Sequence, residues 1–195
     1  MKRLWVCTAI LAVAATSVFG QQAPAAGQAP AAKPAPASPP QTATGTIGGK
    51  NITISYSSPR VKGREGHVFT KDGLIAKAHG SQYPVWRGGA NAATTLKTDG
   101  DLMIGDLQIP AGTYTFFVDI SDSDNWVLIV NKKSGEWGLA YDPSQDLGKV
   151  KMQMSAPSGM VEDLTYTITD NGGGKGTISL AWENKQASVP VMVHQ

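Results

Sequence analysis

Asn51-Ile52-Thr53-Ile54-Ser55-Tyr56 sets apolar side chains at every second position and polar ones between them. An extended backbone turns successive side chains to opposite faces, so this hexad has one face for a core and one for water. The same period recurs in Tyr114/Phe116/Val118, Trp126/Leu128/Val130, Trp137/Leu139/Tyr141 and Val150/Met152/Met154. Leu164/Tyr166/Ile168, Ile178/Leu180/Trp182 and Val189/Val191/Val193 continue it. Turn signals stand between the runs: Asp72-Gly73, Asp99-Gly100, Pro110-Ala111-Gly112, Ser134-Gly135, Asp142-Pro143 and Asp170-Asn171-Gly172. Short alternating runs punctuated by turns predict an all-β fold, an antiparallel β-sandwich, with a partly closed β-barrel as the alternative. No stretch carries a capped helical period, and Leu74 to His79 has room for one helical turn at most.

The period of two begins near Thr46, and what precedes it has a different character. Lys2 and Arg3 lead an apolar run from Leu4 to Val13, followed by small residues up to Val18-Phe19-Gly20. This is the layout of a secretory signal peptide over residues 1–20, and the run is too short to span a bilayer. Residues 21–45 are Ala, Pro, Gln, Gly, Ser and Thr with Lys33 as the sole charge, and they hold half of the prolines. Such a stretch cannot bury a core and is expected to be a disordered linker biased toward polyproline II. Residues 46–195 then form a single β-sandwich domain, long enough to fold without a disulfide.

Composition narrows the functional classes. The chain has 17 Lys and Arg against 15 Asp and Glu, and the balance is even once Lys2 and Arg3 leave with the signal peptide. An even balance argues against nucleic acid or an anionic membrane as partner. Cys7 is the only cysteine and lies inside the apolar run, where Leu4-Trp5-Val6 lacks the small residues that lipid attachment requires. The processed protein is therefore expected to have no disulfide, thiol nucleophile or cysteine metal site. Export without cysteines points to a secreted or periplasmic bacterial protein with no transmembrane segment after processing.

Ser58 to Thr95 departs from the alternating pattern. It is rich in glycine and concentrates Arg60, Lys62, Arg64, Glu65, His67, Lys77, His79, Trp86, Arg87 and Asn91. Long irregular connections in compact domains are often functional, so the candidate ligand-binding residues are Arg60, Arg64, Trp86, Arg87 and Asn91. If the three arginines converge, their planar forks suit a carboxylate or phosphate. The competing reading is that each pairs with a nearby Asp or Glu, or caps loop carbonyls. Trp86 is either a stacking platform or a core residue whose indole N–H is satisfied. Asn91 is either an amide ligand or a turn residue with left-handed backbone. His67 and His79 have no partner at a recognised metal-ligand spacing, so no metal and no cofactor is assigned. Asp119, Asp122 and Asp124 lack the glycine and terminal glutamate of a calcium loop and read as a solvated hairpin turn. No Gly-x-Ser-x-Gly elbow is present, and no catalytic residue is assigned.

Several of these stretches also carry a resemblance. Ser58-Pro59-Arg60-Val61-Lys62-Gly63-Arg64, Val85-Trp86-Arg87-Gly88-Gly89-Ala90-Asn91 and Ile109-Pro110-Ala111-Gly112-Thr113-Tyr114 resemble the domain-of-unknown-function 2911 family. Trp126 to Asn131, Tyr141-Asp142-Pro143 and Leu180-Ala181-Trp182 extend the likeness, in order, over most of residues 46–193. The resemblance implies a secreted bacterial β-rich domain and brings no established activity. Members often carry Glu after Gly-Ala-Asn where this chain has Ala92, and the stretch from Arg64 to Trp86 is longer here.

The sequence thus supports a non-enzymatic exported domain binding a carbohydrate, a small anionic ligand or another cell-envelope component. Two alternatives stay open. An envelope- or polymer-directed hydrolase requires a carboxylate or His in a cleft, with Glu65 or His67 buried beside the arginines as its mark. A structural or protein-interaction module would show an exposed apolar patch or an open edge strand, with the arginines scattered.

Overall fold

Gly48 and Gly49, at φ of 54° and 78°, make a two-residue turn of the kind that glycine enters without strain. They fold β1 (Pro40–Ile47) back on β2 (Lys50–Ser57), with Pro40 opposite Ser57 and Ile47 opposite Lys50. In this computed structural model, which describes residues 36–135 and 141–193, the fold thus begins earlier than composition implies. Residues 40–45, expected to belong to the linker, are strand. The reason is that β1 is an edge strand with most of its residues exposed or half-buried, so it needs little apolar sequence. The expected signal peptide and residues 21–35 of the linker lie outside the described residues.

Along the chain follow one helical turn, α1 (Leu74–Lys77), and the strands β3 (Val85–Trp86), β4 (Thr94–Thr98), β5 (Leu102–Ile104) and β6 (Leu107–Ile109). Then come β7 (Gly112–Asp119), β8 (Val127–Asn131), β9 (Asp146–Lys151) and β10 (Gln153–Ser155). β11 (Val161–Gly172), β12 (Lys175–Glu183) and β13 (Lys185–Met192) complete the order. All pairings are antiparallel and fall into two sheets. The first runs β1-β2-β4-β7-β8-β9 with β3 also on β7, and the second runs β11-β12-β13-β5-β6 with β10 also on β13. The architecture is a β-sandwich and not a closed barrel.

The core lies between the sheets and is made by the alternating sets. Ile52, Ile54, Phe116, Val118, Leu128 and Val130 of the first sheet face Leu164, Ile178, Leu180, Trp182, Val189 and Val191 of the second, all buried. Burying each such side chain contributes roughly 1.5–3 kcal/mol. The run Val150/Met152/Met154, expected to be one strand, is instead divided between sheets: β9 belongs to the first and β10 to the second. Met152 stands at the crossing, where its N–H donates to the Trp126 carbonyl at 2.9 Å. Asp170-Asn171-Gly172 is not the turn of its hairpin but a register irregularity in β11; Gly173 and Gly174, at φ of 61° and 74°, make the turn. Of Trp137/Leu139/Tyr141, only Tyr141 lies within the described residues, and it precedes a short 3-10 turn.

The segment after β2 leaves and rejoins the first sheet, and on its way it ties that sheet to β11 of the second. Ser58 Oγ donates to the Leu164 carbonyl at 2.7 Å, Leu164 N–H to Pro59 O at 3.0 Å, and Val61 N–H to Glu162 O at 2.9 Å. Val61, Val68 and Ile75 then bury themselves in the core, so the irregular segment closes one end of the sandwich. Phe69 sits among three tryptophans, with centroids 4.8 Å from Trp126, 5.6 Å from Trp182 and 6.0 Å from Trp86. Among the described residues no helix is long and apolar enough to cross a membrane.

Candidate functional site

The site is produced by an interruption. β3 and β4 both pair with β7, Trp86 opposite Val118 and Thr94 opposite Phe116. Two residues of advance along β7 are therefore matched by eight along the partner chain, and Arg87 to Ala93 are thrown out as a loop. Thr94 N–H closes its neck on the Arg87 carbonyl at 3.1 Å. Beside this loop opens a cleft of about 380 Å³, walled also by the Pro59–Arg64 stretch, the residues around α1, and Ala37 and Ser38 ahead of β1.

All five sequence-derived candidates, Arg60, Arg64, Trp86, Arg87 and Asn91, line this one cleft. Each also has local work. Arg60 Nε pairs with Asp163 Oδ1 at 2.7 Å, both side chains about half exposed. Arg64 Nη2 donates to the Arg60 carbonyl at 2.8 Å. Arg87 donates from Nη1 to Asn91 O at 2.8 Å and from Nη2 to His79 O at 2.9 Å. Trp86 is a core residue, 4% exposed, with its indole N–H on Gly89 O at 3.0 Å. Asn91 has φ of 58°, and its amide donates to Ser38 O at 3.3 Å.

The electrostatics of the cleft are one-sided. Lys62 joins the three arginines in its wall, and no Asp or Glu among the described residues lines it. Arg87 is half-buried, burial lowers its pKa from the ordinary value, and among the described residues no carboxylate pairs with it. The floor is apolar, built from Ile75, Val85, Trp86, Phe117 and Trp182. Glu65 and His67 are both exposed and neither lines the cleft, while His79 lines it and is exposed.

Two acids of the turn expected to be solvated have backbone partners. Asp119 accepts from Ser121 N–H and Asp122 from Asp124 N–H, both at 2.9 Å, in the turn between β7 and β8. Among the described residues no group of three or more His, Cys, Asp or Glu could hold a metal.

A family model described as "Protein of unknown function (DUF2911)" matches residues 38–191. The chain belongs to that family. Comparison with curated proteins and with solved structures returned no match. In this DUF2911 chain the motif Val85 to Asn91 is strand β3 followed by the loop, and its glycines have a steric cause. A Cβ on Gly88, which has φ of 64°, would lie 2.6 Å from Tyr166 Oη; one on Gly89 would lie 3.0 Å from Ser57 O. Ala92 is exposed in the same loop.

Trp182, Phe117 and Gln82 join the lining without any mark in the sequence. Trp182 and Phe117 belong to strands, and nothing local distinguishes them from other core positions. Tyr166 carries the signature of a core residue alone, yet its buried hydroxyl donates to Gly88 O at 2.9 Å and holds the loop to the second sheet.

Proposed function

We propose that this domain binds a small anionic ligand with an apolar body in the cleft beside the Arg87–Ala93 loop. The observation that carries this reading is Arg87: a half-buried guanidinium with only neutral carbonyl partners among the described residues, in a cleft whose described wall has four cations and no acid. A half-buried charge without a counter-charge is partly desolvated, and an incoming carboxylate or phosphate would compensate it. The apolar floor favours a ligand whose remainder is hydrocarbon or aromatic. A carbohydrate fits less well, because Trp86 is buried and its N–H is already used. The domain would act in the periplasm or outside the cell.

The rivals draw less support. The mark that would favour the hydrolase reading is Glu65 or His67 buried beside the arginines, and both are exposed. The interaction-module reading has an open edge strand in β1, but the three arginines line one cleft rather than being scattered, and the large exposed hydrophobic residues among those described are Met160 and Met192.

The test is titration of the purified protein with anilinonaphthalene sulfonate, an apolar anion, against the uncharged phenylnaphthylamine. The sulfonate should bind more tightly, and Arg64→Ala should weaken it roughly tenfold, the equivalent of one charge-assisted hydrogen bond. Arg64 is exposed and holds one carbonyl, so near-UV circular dichroism and the melting temperature should not move. Equal affinity for both dyes, or indifference to Arg64→Ala, would sink the proposal.

A further inference from the structure

A second cleft, of about 430 Å³, opens where the irregular segment meets the β12–β13 hairpin. Its walls include Gly66, Phe69, Tyr83, Trp126, Glu183 and Lys185. Its chemistry differs from that of the arginine-lined cleft, and a ligand here would bind whether or not that cleft takes an anion.

Glu183 is the unusual residue. Trp182 pairs with Lys185 across a two-residue turn, and Glu183 is its first residue, at φ of 54°. That region favours glycine, and a long side chain there is strained. The carboxylate is nevertheless kept, 5% exposed, with Oε1 accepting from Gly66 N–H. Among the described residues no Lys, Arg or His forms an ion pair with it. Lys185 is close in sequence but gives its ammonium to Ser123 O at 3.0 Å and Asp124 Oδ1 at 3.3 Å. A buried anion with a neutral donor and no cation is incompletely compensated.

Aromatic rings complete the setting. Phe69 and Trp126 meet at 4.8 Å with their planes tilted by 54°, and Tyr83 lines the same cleft. Ring faces carry negative quadrupole potential, so the half-buried rings of Phe69 and Tyr83, with Trp126 buried behind Phe69, and a carboxylate suit a soft, weakly hydrated cation. A primary ammonium would demand several hydrogen-bond acceptors, whereas a quaternary one presents only methyl groups to the rings. We propose that the second cleft binds an organic cation of the quaternary-ammonium type, with its charge against Glu183 and its methyl groups against Phe69 and Tyr83.

The experiment compares choline with neohexanol, in which a carbon replaces the ammonium nitrogen, by quenching of tryptophan fluorescence in the purified protein. Choline should saturate and bind at least roughly tenfold tighter than neohexanol, since the shape is the same and only the charge differs. Glu183→Gln keeps an acceptor for Gly66 N–H and removes the charge; it should weaken choline by a similar factor and leave neohexanol unchanged. Tyr83→Leu, at a half-buried position, should weaken choline without affecting Gly66. Equal binding of the two compounds, or no saturable quenching by millimolar choline, would overturn the proposal. So would a Glu183→Gln variant that folds and binds choline as the wild type does, leaving the carboxylate only the task of holding Gly66.

Discussion

Strand β12 and the segment from Ser58 to Ala93 bury side chains equally well by different means. β12 lies between β11 and β13, and Ile178, Leu180 and Trp182 enter the core at every second residue, each 2% exposed. The segment buries Val61 and Val68 fully and Ile75 to 4%, with no strand beneath the first two and one helical turn under the third. In the strand, the backbone ladder satisfies the polar groups and fixes the direction of each side chain. In the segment, individual contacts replace the ladder: Ser58 and Val61 on β11, Phe69 among the tryptophans, Arg87 on carbonyls of the segment itself. Alternation is therefore a local code for burial, whereas the segment's burial is specified from across the fold.

The sharpest way to break this comparison is Phe69→Ala. Phe69 touches tryptophans from both sheets although it belongs to neither, so its removal should destabilise the whole domain by about 3 kcal/mol, the low end for a phenylalanine because the ring is only partly buried. Urea denaturation should show an earlier midpoint with one cooperative transition. Faster hydrogen exchange confined to residues 58–93, with the sheets unaffected, would instead make the segment a separable covering.

That contrast also explains how much of the molecule is legible in its sequence. The sandwich, its buried faces and the one-turn α1 follow from periodicity, because a strand's neighbours all obey the same alternation. The boundary at β1 does not, because an exposed edge strand needs few apolar residues, so Pro40 to Gly45 look like the linker before them. Polar density alone is enough to single out Arg60, Arg64, Trp86, Arg87 and Asn91, which converge on one cleft. Glu183 carries no such mark. Nothing in Trp182-Glu183-Asn184 signals a buried carboxylate at positive φ; Gly66, its partner, lies far away in the chain.

Tyr166→Phe tests the tie between the regular and irregular parts with a smaller expected effect. It leaves the Gly88 carbonyl without its buried donor and should cost about 1–3 kcal/mol. Burial raises the Tyr166 pKa above the ordinary tyrosine value. A raised folded pKa means that the stabilisation is complete below the unfolded value, about 10, and is lost as pH rises beyond it. The wild type should lose stability in that alkaline range, and Tyr166→Phe should lose it less steeply. The slope should not vanish, because Tyr141 is also shifted upward, by burial and then by its hydrogen bond to Asp146. An unchanged alkaline slope in Tyr166→Phe would mean that the hydroxyl is not buried in the folded protein.

The smallest effect on stability belongs to Arg60→Ala, and there the comparison is most useful. The ion pair to Asp163 is half exposed on both sides, so its removal should cost about 0–1 kcal/mol. The backbone does not depend on it: Arg60 and Asp163 face each other in an isolated antiparallel bridge, and Arg64 bonds the Arg60 carbonyl rather than its side chain. If the cleft takes an anion, the same variant should bind anilinonaphthalene sulfonate less tightly with almost no change in melting temperature. A large loss of stability would make Arg60 a pin between the segment and the second sheet, and the density of cations there would then reflect construction rather than recognition. A neutral result in both measurements would remove Arg60 from the site and leave Arg87 and Arg64 to carry it.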